Sequence, residues 1–358
     1  MNEHPLSLSL YSLFSILYTI RIRVLQYNTP KIKNHGIPLD VIERVQQDAT
    51  DFFDLSLHEK QRVAGAAFGL GYMGQGTENV AATLGAGADT TTTTTTTTTL
   101  RDQKESLNLT LPVRSEIWPS DPPHLVSSCQ TYYVAVSHLA AQLMQIFAVA
   151  LQLEETYFDT KINQAYTTLR LLNYPALEEE ESNAATAAAA AAADATVDLP
   201  PTCRTAAHTD YGTLTILWSP DSRGLQAQDA RTQDWIEVIA PCDQFIINIG
   251  DLMMQWTNDR WRSTVHRVLV HPETRGQRRM SIPFFHNPNP DAIIACLPGC
   301  CRDSSSSDTN TTTTNITNTT TNTTNQHTQP PKYAPILAQA HLEMKVSKAL
   351  GQEQTMEL

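Results

Sequence analysis

A chain of 358 residues has room for one large or two modest domains and for a well-filled core. Its 37 acidic residues outnumber 25 basic ones, and the net charge of −12 argues against a general affinity for nucleic acid or an anionic membrane. Six cysteines (Cys129, Cys203, Cys242, Cys296, Cys300, Cys301) are too sparse for a disulfide scaffold, so free thiols in the cytosol are expected; the trio Cys296, Cys300 and Cys301 lacks the second ligand pair of a zinc site.

Residues 1–30 hold an apolar stretch of 15 residues, Leu6 to Ile20, followed by Arg21 and Arg23. A membrane span needs about 20 apolar residues, and a signal peptide opens on basic residues rather than Glu3, so the segment fits neither and stands apart as an atypical N-terminus. Residues 31–165 read as an N-terminal helical region. After the turn-like Asn34-His35-Gly36, Asp40 and Glu43 have capping-box spacing, and Val41, Ile42, Val45, Ala49, Phe52 and Phe53 repeat on one helical face. The threonine run Thr90 to Thr99 can bury nothing and is expected to be a loop insertion. A longer helix follows over Leu125 to Leu153, with Val136, Leu139, Ala140, Leu143, Phe147 and Leu151 on its apolar face. His138, Gln142 and Gln145 lie between them, which argues against a membrane span.

Across residues 166–298 the hydrophobic period changes. Short β-prone runs, Leu214 to Trp218, Trp235 to Val238, Phe245 to Ile249, Val265 to Val270 and Met280 to Phe285, are separated by Gly, Pro, Asp and Asn turns. That pattern predicts an antiparallel sandwich or jelly roll, mainly β with flanking helices. An acidic, alanine-rich insert at 176–200 interrupts this core, a low-complexity linker fills 299–331, and residues 332–358 read as a C-terminal helix.

Within the β region, His208-Thr209-Asp210 places an imidazole and a carboxylate two positions apart, so that on a strand both point to one side and can grip one cation. A third ligand is then required. His266 lies 56 residues on, in another β-prone run; two His and one carboxylate leave coordination positions open, the arrangement of non-haem Fe(II) oxygenases. His271 is the rival, but five residues from His266 it would face the other side of the same strand, and Pro272 marks a strand end. Thirteen residues beyond His266, Arg279-Met280-Ser281 sets a guanidinium and a hydroxyl on one strand face as a clamp for a carboxylate.

These residues, with Asn34-His35-Gly36-Ile37-Pro38, Arg170 through Pro175, Gly224-Leu225-Gln226, Asn248-Ile249-Gly250-Asp251 and Arg279 through Phe285, make the chain similar to the 2-oxoglutarate and Fe(II)-dependent dioxygenases of the isopenicillin N synthase-like family. The resemblance covers most of Lys31 to Pro298. It implies a double-stranded β-helix core, iron held by His208, Asp210 and His266, and the distal carboxylate of 2-oxoglutarate bound by Arg279 and Ser281, with Tyr174 also hydrogen-bonding this cosubstrate. The implied reaction uses O2, with ascorbate as a reductant, and couples decarboxylation of 2-oxoglutarate to succinate and CO2 with hydroxylation or desaturation of a small organic molecule. A cytoplasmic monomer with no nucleic acid or membrane partner is expected. Two alternatives stay open: an Fe(II) oxidase of the same family that does not consume 2-oxoglutarate, and a catalytically degenerate small-molecule binding module. The family's Gly-Phe-rich first strand is not visible in residues 1–30, and Leu172 stands where many plant members carry Asn. Substrate contacts are expected from Gly71 to Gly76, Leu225, Phe285 and the C-terminal helix, where no charged residue announces a partner.

Overall fold

The computed structural model describes residues 30–65, 69–84, 102–177, 203–301 and 330–351. The apolar N-terminal stretch, Thr90 to Thr99 and the low-complexity run at 304–329 lie outside these residues, as does the insert beyond Leu177. In chain order the strands are β1 Lys31–Lys33, β2 Gly71–Met73, β3 Glu105–Leu109, β4 Thr168–Tyr174, β5 Cys203–His208, β6 Leu214–Trp218 and β7 Leu225–Gln228. They continue as β8 Trp235–Glu237, β9 Gln244–Ile249, β10 His266–Leu269, β11 Arg279–His286, β12 Ile293–Ile294 and β13 Ile336–Leu337. The helices are α1 Leu39–Phe53, α2 Leu57–Lys60, α3 Leu125–Ala150, α4 Asp159–Ile162, α5 Asp251–Trp256 and α6 Ala338–Leu350.

A seven-stranded sheet runs β1-β9-β6-β11-β4-β3-β2 and a four-stranded sheet runs β5-β10-β7-β8, with antiparallel pairing throughout both. This is the expected jelly roll. Strand alternation divides the large sheet into two buried faces. Leu169 and Leu171 of β4, Met280, Ile282 and Phe284 of β11, and Phe245, Ile247 and Ile249 of β9 join one core with α1 and α3. Leu172 and Tyr174 of β4 and Ile246 of β9 turn inward to meet Leu225, Ala227 and Val268 of the small sheet. Because both faces are covered, these strands are apolar almost throughout, yet the few inward polar residues, Arg279, Ser281 and Asn248 among them, gather between the sheets.

Several local expectations are corrected. Helix α1 begins after Pro38 with no side-chain cap, and Asp40 sits inside its first turn, so Asp40 and Glu43 form no capping box; that motif occurs instead at α2, between Ser56 and Glu59. The predicted apolar face of α1 is nonetheless the buried one. Strands β2 and β3 extend the large sheet from a region that reads as helical, because β3 hydrogen-bonds along β4. The sheet's other edge is closed by the three residues of β1 against β9. Among the described residues only α3 is long and apolar enough to cross a membrane, and its face from Leu125 to Phe147 is buried in the core. None of the six cysteines forms a disulfide.

Candidate metal centre

Strands β5 and β10 pair so that His208 and His266 lie directly opposite each other, and a register irregularity follows His266. A bulge of this kind re-aims a side chain next to a site. The ring centroids are 4.2 Å apart. Nδ1 of His208 lies 2.8 Å from the Ala206 carbonyl oxygen, and Nδ1 of His266 lies 3.0 Å from that of Thr264. A carbonyl only accepts, so each Nδ1 carries the proton and each Nε2 keeps a free lone pair. Burial, with the neighbouring His266 ring, holds the His208 pKa well below its ordinary value, which keeps the imidazole neutral.

Asp210 lies just past the end of β5 rather than on it, so the predicted same-side strand geometry does not apply to the pair. The loop is positioned by close approach instead. A Cβ on Gly212 would fall 2.1 Å from Asn287 Oδ1, and one on Gly250 would fall 2.3 Å from the Gly212 carbonyl oxygen. Only glycines let the two loops touch, and the Asp251 N–H then donates to the Asp210 carbonyl at 2.8 Å. Asn248 Nδ2 donates to Asp210 Oδ2 at 2.6 Å, while Oδ1 lies 3.7 Å from His266 Nε2. Ligand atoms of His208, Asp210 and His266 all lie within 4.8 Å of one another, and among the described residues no other His, Cys, Asp and Glu cluster has such geometry. His271 is elsewhere, capping the turn after β10 with Nε2 3.9 Å from Glu237.

The triad borders an inner compartment of about 80 Å³ that Arg279, Ser281 and Tyr174 also line. Arg279 and Ser281 are two apart on β11, and Arg279 pairs with Tyr174 of β4. The Arg279 guanidinium lies 5.1 Å from the Tyr174 ring centroid, and the Tyr174 hydroxyl accepts from Thr205 Oγ1 at 3.3 Å. Arg279 Nε donates to the Arg223 carbonyl, but Nη1 is buried with no partner. Burial lowers the Arg279 pKa, with Tyr174 opposing it. A buried guanidinium without a carboxylate is costly unless an anion joins it, so the compartment fits a bound carboxylate. Two neutral imidazoles and one carboxylate fit a divalent iron.

A larger cavity of about 740 Å³ adjoins His208 and Asp210 but not His266, and shares these two, Val80, Arg170 and Phe285 with the inner compartment. Phe285 and α6 line it as expected, but Leu225 belongs to the inner compartment. Gly71 to Gly76 do not line it either: they form β2 and the turn after it, of which Tyr72 to Gln75 border an adjoining groove that shares Leu70, Val346 and Leu350 with the cavity. Charged residues do line the cavity, notably Arg170 and Glu78. The only sequence signal for them is Arg170 itself, an isolated charge within the apolar run Leu169 to Leu172.

Two family models match the chain, the 2OG-Fe(II) oxygenase superfamily over residues 169–288 and the non-haem dioxygenase N-terminal region over residues 26–127. A 2-oxoglutarate-Fe(II) type oxidoreductase of Emericella nidulans, hxnY, is 30% identical over 278 residues, covering 76% of this chain and 74% of its own. The proline hydroxylase buaE of Petromyces alliaceus is 31% identical over 283 residues, covering 75% and 79%. In fold, the chain is similar to a full-length Neurospora crassa protein crystallised with α-ketoglutarate and 5-formyluracil (TM-score 0.69, 23% identity, 94% of this chain and 89% of that one). It is also similar to JOX2 in complex with 2OG, Fe and JA (TM-score 0.67, 21% identity, 94% and 87%). The chain belongs to the 2-oxoglutarate and Fe(II)-dependent oxygenases. It is a dioxygenase that acts on a small molecule and uses Fe(II), 2-oxoglutarate and O2.

Proposed function

We propose that His208, Asp210 and His266 hold the iron, that Arg279 and Ser281 grip the distal carboxylate of 2-oxoglutarate with Tyr174 as a further hydrogen-bonding group, and that the 740 Å³ cavity takes the substrate. The observation that carries this reading is the unpartnered Arg279 Nη1 in the compartment the triad borders. Iron bound there supplies the redox chemistry, coupling decarboxylation of 2-oxoglutarate to succinate and CO2 with hydroxylation or desaturation of the substrate.

The chain's own residues set the conditions. Backbone carbonyls fix both imidazole tautomers, and Asn248 occupies one carboxylate oxygen of Asp210 while leaving the other for a metal. Leu172, Leu225, Val238 and Val268 wall the inner compartment with apolar surface, which limits water around the clamp and strengthens its charge-assisted bonds. The reading includes a cytosolic monomer and ascorbate as reductant; the lack of disulfides supports the cytosol, and the net charge of −12 argues against a nucleic acid or anionic membrane partner. Its test is iron retained after gel filtration under argon. His208→Ala, Asp210→Ala and His266→Ala should lose iron while keeping the fold, and His271→Ala should keep it. Iron lost on His271→Ala but kept on His266→Ala would overturn the ligand set.

A further inference from the structure

Buried Arg279 lines the inner compartment, part-buried Arg170 lies on the wall that both compartments share, and the two are in opposite electrostatic states. Arg279 of the inner compartment has an unpartnered Nη1 and makes no ion pair among the described residues. Arg170 of the shared wall is matched. Its Nη2 donates to Glu78 Oε2 at 2.6 Å and to Ser106 Oγ at 3.1 Å, and its Nε donates to Asn108 Oδ1 at 2.7 Å. Only Nη1 has no protein partner among the described residues. Behind it, Lys104 Nζ lies 3.3 Å from Glu78 Oε2 and 2.5 Å from Asp102 Oδ2. Arg170 and Glu78, which line the cavity, thus belong to a largely buried set of two cations and two anions that Lys104, on the wall of the inner compartment, and Asp102 complete. Near the mouth, exposed Arg114 sits 3.5 Å from Glu116, and Glu343 of α6 adds a negative charge. Most of the remaining wall is apolar, from Leu70, Val80 and Phe285 to Leu342 and Val346.

We propose, resting on the reading of this cavity as the substrate site, that the substrate is an electrically neutral and mostly apolar molecule that offers a hydrogen-bond acceptor to Arg170, and that carboxylates are disfavoured. A carboxylate entering the cavity would leave water for a site with no spare positive charge and would have to compete with Glu78, which is already ionised and in place. A neutral carbonyl can accept from an Nη1 N–H of Arg170 without that desolvation. The same chain thus holds one arginine ready for an anion and one already supplied with its own. The inner site selects the dicarboxylate cosubstrate and the outer site selects against a second acid.

The test uses the full chain loaded with Fe(II) and 2-oxoglutarate under argon, and two probes that share a ring system, 2-naphthamide and 2-naphthoate, measured by equilibrium dialysis. The weak visible band that forms when 2-oxoglutarate joins the iron first establishes that the holoenzyme has assembled; its absence counts against the functional reading, separately from the substrate class. With the band present, the amide should bind at least roughly tenfold more tightly than the carboxylate. Glu78→Gln should raise naphthoate affinity and reduce or invert that ratio. The wild-type ratio decides the matter even where this variant fails to fold. Equal or tighter naphthoate binding in the wild type, no binding of either probe, or a ratio unchanged in folded Glu78→Gln would overturn the proposal.

Discussion

Arg279 bears most directly on cosubstrate use, since it is a buried cation with an open donor beside the candidate metal ligands. Arg279→Lys keeps the charge but exchanges a planar fork for a compact ammonium, and the two are not equivalent where a carboxylate is held by two bonds. A charge-assisted hydrogen bond contributes roughly 1.5 to 3 kcal/mol, so losing one should raise the 2-oxoglutarate concentration for half-maximal succinate release roughly ten- to a hundredfold, with iron retention unchanged. An unaltered saturation curve would remove Arg279 from the clamp. That His208, Asp210 and His266 come together, and that Arg279 and Ser281 line the same compartment, was legible from spacing: Arg279 and Ser281 are two positions apart on one strand, whereas His208 and Asp210, also two apart, are brought together by the loop after β5 rather than by strand alternation. The pairing of Arg170 with Glu78 spans 92 positions across the threonine run, and no local pattern joins them.

Helix α6 is stitched to the loop that carries Asp210 by a small, largely buried network. Lys345 Nζ lies 2.7 Å from Asp251 Oδ2 and donates to the Thr83 carbonyl at 3.1 Å, while Thr209 Oγ1, between two candidate ligands, donates to the same Asp251 oxygen at 3.2 Å. Removing one partner of a buried pair strands the other charge. Lys345→Met should therefore cost about 3 kcal/mol in urea unfolding and speed hydrogen exchange over Ala338–Leu350, and Lys345→Arg should restore most of both. Unchanged exchange in Lys345→Met would show that the helix is held by its apolar contacts alone. At this scale the apolar periodicity of α1 and α3 identified the helices and their buried faces, but it left their ends open. Asp40 and Glu43 had capping-box spacing without occupying cap positions, and the start of α1 is set instead by the extended backbone of Pro38.

Over the whole molecule, the jelly roll was legible because its strands alternate two buried faces, whereas the contribution of β2 and β3 was not, since β2 has only three residues and β3, buried at all five positions, places polar and apolar residues alike inside. The fold also predicts an acid sensitivity. His286 at the end of β11 is buried, and burial lowers its pKa from 6.5 to about 4. The unfolded chain takes up this proton as pH falls through 6.5, while the folded chain resists until about 4, so stability declines on acidification across that window and is unaffected above it. Between pH 7.5 and pH 5 His286 should account for about 2 kcal/mol of lost stability. Urea unfolding at the two pH values should show a smaller decline in His286→Gln than in the wild type; equal declines would contradict the assignment.

The central claim is that one small compartment joins an iron triad to an arginine awaiting 2-oxoglutarate. Titrating the iron-free protein with Fe(II) under argon, with and without 2-oxoglutarate, tests both halves in one visible spectrum. A weak metal-to-ligand charge-transfer band should grow to one equivalent of iron only when 2-oxoglutarate is present, and should be absent in His266→Ala. A protein that binds iron yet forms no band with saturating 2-oxoglutarate would contradict the account.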